Sequence, residues 1–150
     1  MQQILSLLIF SSIFLSCSST KSSTDAIVKN KTNNSEMKYC VGRGGGFTGD
    51  FEEYILLENG KVYKRDFIYE RDVFYKQLSA LDTEYFLNKI DELSLYGEDI
   101  NKPGNMSYYL EIRQGNNTIN KIIWGAHSYY PPKELEAFHK EFFEKLREQD

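Results

Sequence analysis

Apolar and polar positions alternate with two different periods along residues 37–147. The first stretch holds four short apolar runs: Lys38–Arg43, Phe51–Glu58 (FEEYILLE), Lys61–Asp66 and Val73–Ser79 (VFYKQLS). Short runs rich in aromatic and branched side chains, bounded by Gly, Asn and Asp, predict strands. Asn59-Gly60 stands between the second and third runs and predicts a hairpin whose turn needs positive φ at both positions. The period then lengthens. After Asp82 or Thr83, either able to cap a helix start, Phe86, Leu87, Ile90 and Leu93 recur at helical spacing until Gly97. Lys102-Pro103-Gly104-Asn105 reads as a loop. Ser107–Arg113 alternates again, with Tyr108, Leu110 and Ile112 on one side and Tyr109, Glu111 and Arg113 on the other, as in a half-buried strand. Gly115-Asn116-Asn117 turns it into Thr118–Trp124. Pro131-Pro132 opens a final helix, in which Leu135, Phe138, Phe142 and Leu146 form one stripe, with Phe143 at its edge and His139 inside its arc. Glu136–Lys140 and Glu141–Lys145 are set four apart on its solvated side. The order ββββ-α-ββ-α, joined by hairpins, predicts an α+β domain: an antiparallel sheet with two helices on one face.

Ahead of this domain the pattern is different. Ile4–Leu15 is an apolar run of twelve residues, too short for a spanning helix of about 20 and suited to an export signal. Phe14-Leu15-Ser16-Cys17 resembles the lipobox of bacterial lipoproteins. That resemblance implies a signal peptide over residues 1–16 and a mature chain beginning at Cys17 with acyl chains such as palmitate on the sulfur. Several acyl chains hold a protein stably on a membrane, where one alone is marginal. Ser18 replaces the Asp that marks inner-membrane retention, so the outer membrane is expected, facing the periplasm or the cell surface. Residues 18–36 are polar, without periodicity, and cannot bury enough apolar surface to order themselves. They read as a tether of about 25 Å mean reach, leaving 37–150 as a single domain.

Composition narrows the functional classes. A net charge of −4 argues against nucleic acid, whose phosphates need a basic face. No run of Lys and Arg suits an anionic membrane surface. No Cys/His spacing fits zinc, and neither His-Glu-x-x-His nor Gly-x-Ser-x-Gly occurs, so no metal or cofactor is expected.

Ordinary packing least explains Gly42-Arg43-Gly44-Gly45-Gly46-Phe47-Thr48-Gly49-Asp50. Four glycines in five positions cost conformational entropy on folding. One reading is a wide turn between strands, anchored by Phe47 in the core. The other is a backbone surface for a partner or an anion, since successive N–H groups in such a turn can form a nest. Tyrosines collect around the later loops, and with Arg43, Gly44, Gly45, Gly46, Phe47, Thr48 and Gly49 the candidate contact residues are Tyr109, Trp124, His127, Tyr129 and Tyr130. Tyrosine offers contact area at little entropic cost, and a sugar ring could stack on it or on Trp124. Cys40 reads as a small buried hydrophobe. His127 is a lone loop histidine. The carboxylate pairs Glu52-Glu53, Asp91-Glu92 and Glu98-Asp99 read as solvated surface.

Gly44-Gly45-Gly46-Phe47-Thr48-Gly49, Asn59-Gly60-Lys61-Val62-Tyr63, Pro103-Gly104-Asn105 and Ile123-Trp124-Gly125 together resemble a group of small uncharacterised lipoproteins of Gram-negative bacteria. That resemblance implies an envelope protein and brings no activity with it. Gly45-Gly46-Phe47-Thr48-Gly49 is also similar to the Gly-Gly-Phe-Ala-Gly motif of emfourin, an inhibitor of thermolysin-type metalloproteases. Three functions follow as expectations. The first is a lipid-anchored, non-catalytic binding module for an envelope protein or glycan. The second is a protease inhibitor acting through the glycine loop, and the third a small enzyme using Cys40 or His127.

Overall fold

The computed structural model describes residues 36–47 and 49–149. The signal segment, Cys17 and the tether up to residue 35 lie outside the described residues, as does Thr48. The elements are β1 (Met37–Gly45), β2 (Asp50–Leu57), β3 (Lys61–Asp66), β4 (Arg71–Gln77), α1 (Ala80–Glu92), β5 (Asn101–Lys102), β6 (Met106–Gln114), β7 (Asn117–Trp124) and α2 (Lys133–Arg147). The strands form one sheet in the order β4-β3-β2-β1-β6-β7-β5. Every neighbouring pair is antiparallel except β5 beside β7. This is the α+β fold that the periodicity predicts, with one addition. The short β5 lies at the start of the expected Lys102–Asn105 loop, and its parallel pairing makes the sheet mixed.

Alternation decides which residues meet the helices. Tyr39 and Val41 of β1, Tyr54 and Leu56 of β2, Leu110 and Ile112 of β6 and Ile122 and Trp124 of β7 share one core cluster with Phe86, Ile90, Leu135, Phe138, Phe142 and Leu146 of the two helices. Phe142 is fully buried, with its ring centroid 4.9 Å from Phe86 and 5.4 Å from Phe138. Full burial of each such side chain contributes about 1.5–3 kcal/mol.

The element ends have identifiable causes. Helix α1 starts ahead of the expected Asp82 or Thr83, because the Ser79 hydroxyl accepts the Asp82 N–H at 3.1 Å and caps the helix. The C-terminus of α2 is capped from the sheet. Lys76 Nζ donates to the carbonyls of Lys145 and Glu148, each at 2.7 Å, and the Tyr75 hydroxyl donates to that of Arg147 at 2.8 Å. These satisfy carbonyls that a helix end leaves without partners. The two expected pairs along α2 do not form. Lys145 binds Asp82 at 3.1 Å instead and ties α2 to α1. In the β2–β3 turn only Gly60 has positive φ, at 79°. The Gly60 N–H donates to the Leu57 carbonyl at 2.9 Å, so Glu58 and Asn59 occupy the turn and Gly60 follows it in the left-handed region.

Candidate functional site

The glycine stretch divides into a strand half and a loop half. Gly42 and Gly44 lie within β1, on the sheet face away from the helices. A Cβ on Gly42 would fall inside the Tyr109 ring, and one on Gly44 inside the Phe51 ring. These two glycines let rings from β6 and β2 lie flat across β1, a close approach that only glycine permits. Gly45 and Gly46 turn the chain with φ of 111° and 75°. The Gly46 N–H donates to the Asn105 carbonyl at 2.6 Å, which removes it from any anion-binding nest. Packing therefore accounts for all four glycines. It does not account for Phe47. The expected core anchor is instead fully exposed, at 106%, because the turn aims it past the end of the sheet.

Phe51, Phe67, Ile68, Tyr69, Val73 and Phe74 are also exposed, Ile68 at 86% and Tyr69 at 71%. Strand β3 leaves β2 after Lys64, and the β3–β4 hairpin reaches across the sheet face toward the start of β1, with Asp72 2.9 Å from Lys38 Nζ and with Phe67 and Glu70 sharing a cleft with Gly115 and Asn116 of the β6–β7 turn. Asp66 builds the turn of that hairpin, its Oδ1 accepting the N–H groups of Ile68 and Tyr69 at 3.1 and 3.2 Å. The Phe51 and Phe67 rings meet at 5.7 Å between centroids. They border a cleft of about 590 Å³ lined also by Lys64, Ile68, Val73 and Phe74. Met37, where the chain enters β1, lies roughly 30 Å from Gly45 along nine residues of strand. The apolar periodicity assigns Phe67–Tyr69 to no element. The signal it passed over was three large apolar residues directly behind a turn-forming Asp.

The other predicted contact residues are dispersed. Tyr109 is buried, with its hydroxyl donating to Glu53 at 2.9 Å, and is not an exposed grip. Trp124 is buried against Tyr108 and His139, so no sugar can stack on it. Arg43 lies on the helix face, 4.8 Å over the Phe143 ring and 3.0 Å from Glu52. With Trp124 it borders a smaller cleft of about 270 Å³, shared with Tyr108 and Lys140. Tyr129 is half-buried against the core, while His127 and Tyr130 stand exposed on the loop after β7.

Cys40, His139 and Glu53 are locked in place, while His127 is exposed on its loop. Cys40 is 1% exposed in a small apolar cluster with Ile55 and Leu57, and burial pushes its thiol far above the usual range, away from the thiolate a nucleophile needs. His139 is buried and donates to the Gly42 carbonyl at 2.9 Å. Desolvation holds its pKa below the ordinary histidine value. Glu53 is not solvated as expected. It is 2% exposed and receives both terminal nitrogens of Arg113, at 2.9 and 2.8 Å. Arg113 also binds Glu111 at 2.7 Å, and Thr118 reaches the other Glu111 oxygen at 2.6 Å. Burial alone would push the Glu111 carboxyl up. The bonds from Arg113 and Thr118, with the charges of Arg113 and Lys121, outweigh it and hold the group at about 2.

No protein-family model matches the chain, and no match was found among curated proteins.

Proposed function

We propose that the chain is a lipid-anchored protein of the bacterial envelope that works as a non-catalytic binding module, and that its binding surface is the aromatic cleft beside β2. One observation carries this reading. Five large exposed apolar side chains, Phe51, Phe67, Ile68, Val73 and Phe74, line a single cleft of about 590 Å³. Contiguous apolar patches of this kind on a soluble domain mark interaction sites. The locked state of Cys40 and Glu53 supports binding over chemistry.

The test is capture from envelope extracts by residues 31–150, a single contact unit that contains every described core residue. Phe47→Ser with Ile68→Ser is expected to keep the fold and lose the captured partner. Equal capture by both forms overturns the assignment of the surface. A second reading, inhibition of a protease, draws support from Phe47. It is a lone exposed ring on a loop held by the Gly46–Asn105 hydrogen bond, and a preorganised loop loses little freedom on binding. A metalloprotease among the captured proteins, inhibited by the unaltered domain, would favour it.

A further inference from the structure

Strand β2 is paired with β1 along its whole length, from Asp50 opposite Gly45 to Leu57 opposite Lys38. On its other side it pairs with β3 only from Tyr54 opposite Lys64 to Leu56 opposite Val62. The same register continued would set Glu53 against Arg65 and Glu52 against Asp66. Those β3 residues pair only with β4, Arg65 opposite Asp72 and Asp66 opposite Arg71. Residues 50–53 therefore have an open edge in the interior of the sheet. Backbone groups alternate sides along a strand, so two of these four residues direct their N–H and C=O into the gap. Beyond the Tyr54–Lys64 pair no further β2–β3 pair is formed. The 590 Å³ cleft opens beside the start of β2, with Asp50 and Phe51 in its lining. Phe51 and Phe67 meet across it, and Ile68, Val73 and Phe74 form its apolar wall. Asp50, Lys64, Arg65 and Asp66 give its rim both signs of charge.

We infer that this gap receives an extended peptide segment of a partner protein, which adds to β2 as a strand of about four residues and sets an aromatic or branched side chain in the cleft. The inference rests on the binding reading above and specifies the partner's chemistry. Unpaired strand groups beside an apolar groove are what strand addition requires: main-chain hydrogen bonds supply affinity and pockets for alternate side chains supply selectivity. A folded apolar face or a lipid surface would leave the backbone groups of 50–53 without partners, at a cost for each that becomes shielded from water. The rim, carrying both signs, has no preference for an anionic surface.

The experiment has two arms on residues 31–150. In the first, amide hydrogen exchange of the free domain is followed at residues 50–53. Two alternate amides are expected to exchange fast, and the two facing β1 slowly. Slow exchange at all four would mean that the gap is closed in solution and would overturn the inference. In the second arm a random heptapeptide library on phage is panned against the domain. Enriched peptides are expected to carry aromatic or branched residues at alternate positions and to protect the two fast amides. They should bind at least about tenfold more weakly when the backbone nitrogens facing β2 are methylated, since each lost hydrogen bond costs about 1 kcal/mol. No enrichment, or equal binding by the methylated peptides, overturns strand addition. Should the Phe47→Ser, Ile68→Ser form still lose its envelope partner, the binding surface stands and only the peptide mode fails. Should that form also keep its partner, both fall.

Discussion

Gly42 shows how much can rest on an absent side chain. It sits opposite Glu53 on β2 and Tyr109 on β6. On one side the Tyr109 ring lies where a Cβ would be, and the ring stays there because its hydroxyl is bound to Glu53. The Gly42 carbonyl meanwhile accepts from His139 of α2. Gly42→Ala should thus destabilise the domain by about 1–3 kcal/mol through overpacking, read by denaturant unfolding. Adding Tyr109→Ala removes the ring that clashes, so the double variant should lose clearly less than the two single losses combined. Strict additivity would show that the ring and the glycine are not coupled. Nothing local to Gly42-Arg43-Gly44 foretells this. The covering rings come from Tyr109 and Phe51, and which rings meet which glycines is decided by strand register, so a glycine run that suggests a ligand loop turns out to be half strand.

Among the elements, the strands and helices were legible where period and burial agree. The α2 stripe is present as read, because that helix meets water on one side and core on the other. Legibility failed where a face is covered by its own side chains. Tyr109, Glu111 and Arg113 point away from the helices as expected, yet Tyr109 and Glu111 are buried, since Arg113, Lys121 and Thr118 close over the β6 face in a charged lattice. The two-residue β5 is too short for any period to reveal, and its register comes from β7. The lattice makes stability depend on acid. Glu111 is held at about 2 in the folded chain, against 4.5 as its ordinary value. A depressed carboxylate contributes stability that is complete above the unfolded value and is lost as pH falls through the folded one. Stability should therefore decline between pH 4.5 and about 2, with Glu111 accounting for up to about 3 kcal/mol. Glu111→Gln should unfold more readily at pH 7 and show a flatter decline over that window. An unchanged slope in a urea titration series would remove Glu111 from the account.

At the scale of the whole molecule the sheet has two unlike ends. The end where β1 begins carries the tight β2–β3 and β6–β7 turns, the first built on Asn59-Gly60. The other end carries Phe47 in the open, and the β3–β4 turn holds Phe67, Ile68 and Tyr69 exposed over the sheet face. Of this candidate surface the sequence made Phe47 conspicuous through its glycines, but Tyr109 and Trp124 were chosen by residue type and are buried. The Phe67–Phe74 half escaped notice because two hairpins far apart in the chain must first be placed side by side. If those side chains were kept for the fold, replacing them would cost stability. If they are kept for a partner, it should not. Phe47→Ser with Ile68→Ser removes two rather fully exposed groups that make little contact with the core, so the midpoint of thermal unfolding should move by no more than surface substitutions generally cause, within about 0.5 kcal/mol each. Phe142→Ser, which empties the centre of the core, should cost at least about 3 kcal/mol in the same assay. Comparable losses from the two changes would mean that these side chains are packed in solution and unavailable to a partner. A neutral pair beside a destabilised core variant would leave binding as the remaining reason for so much exposed apolar surface.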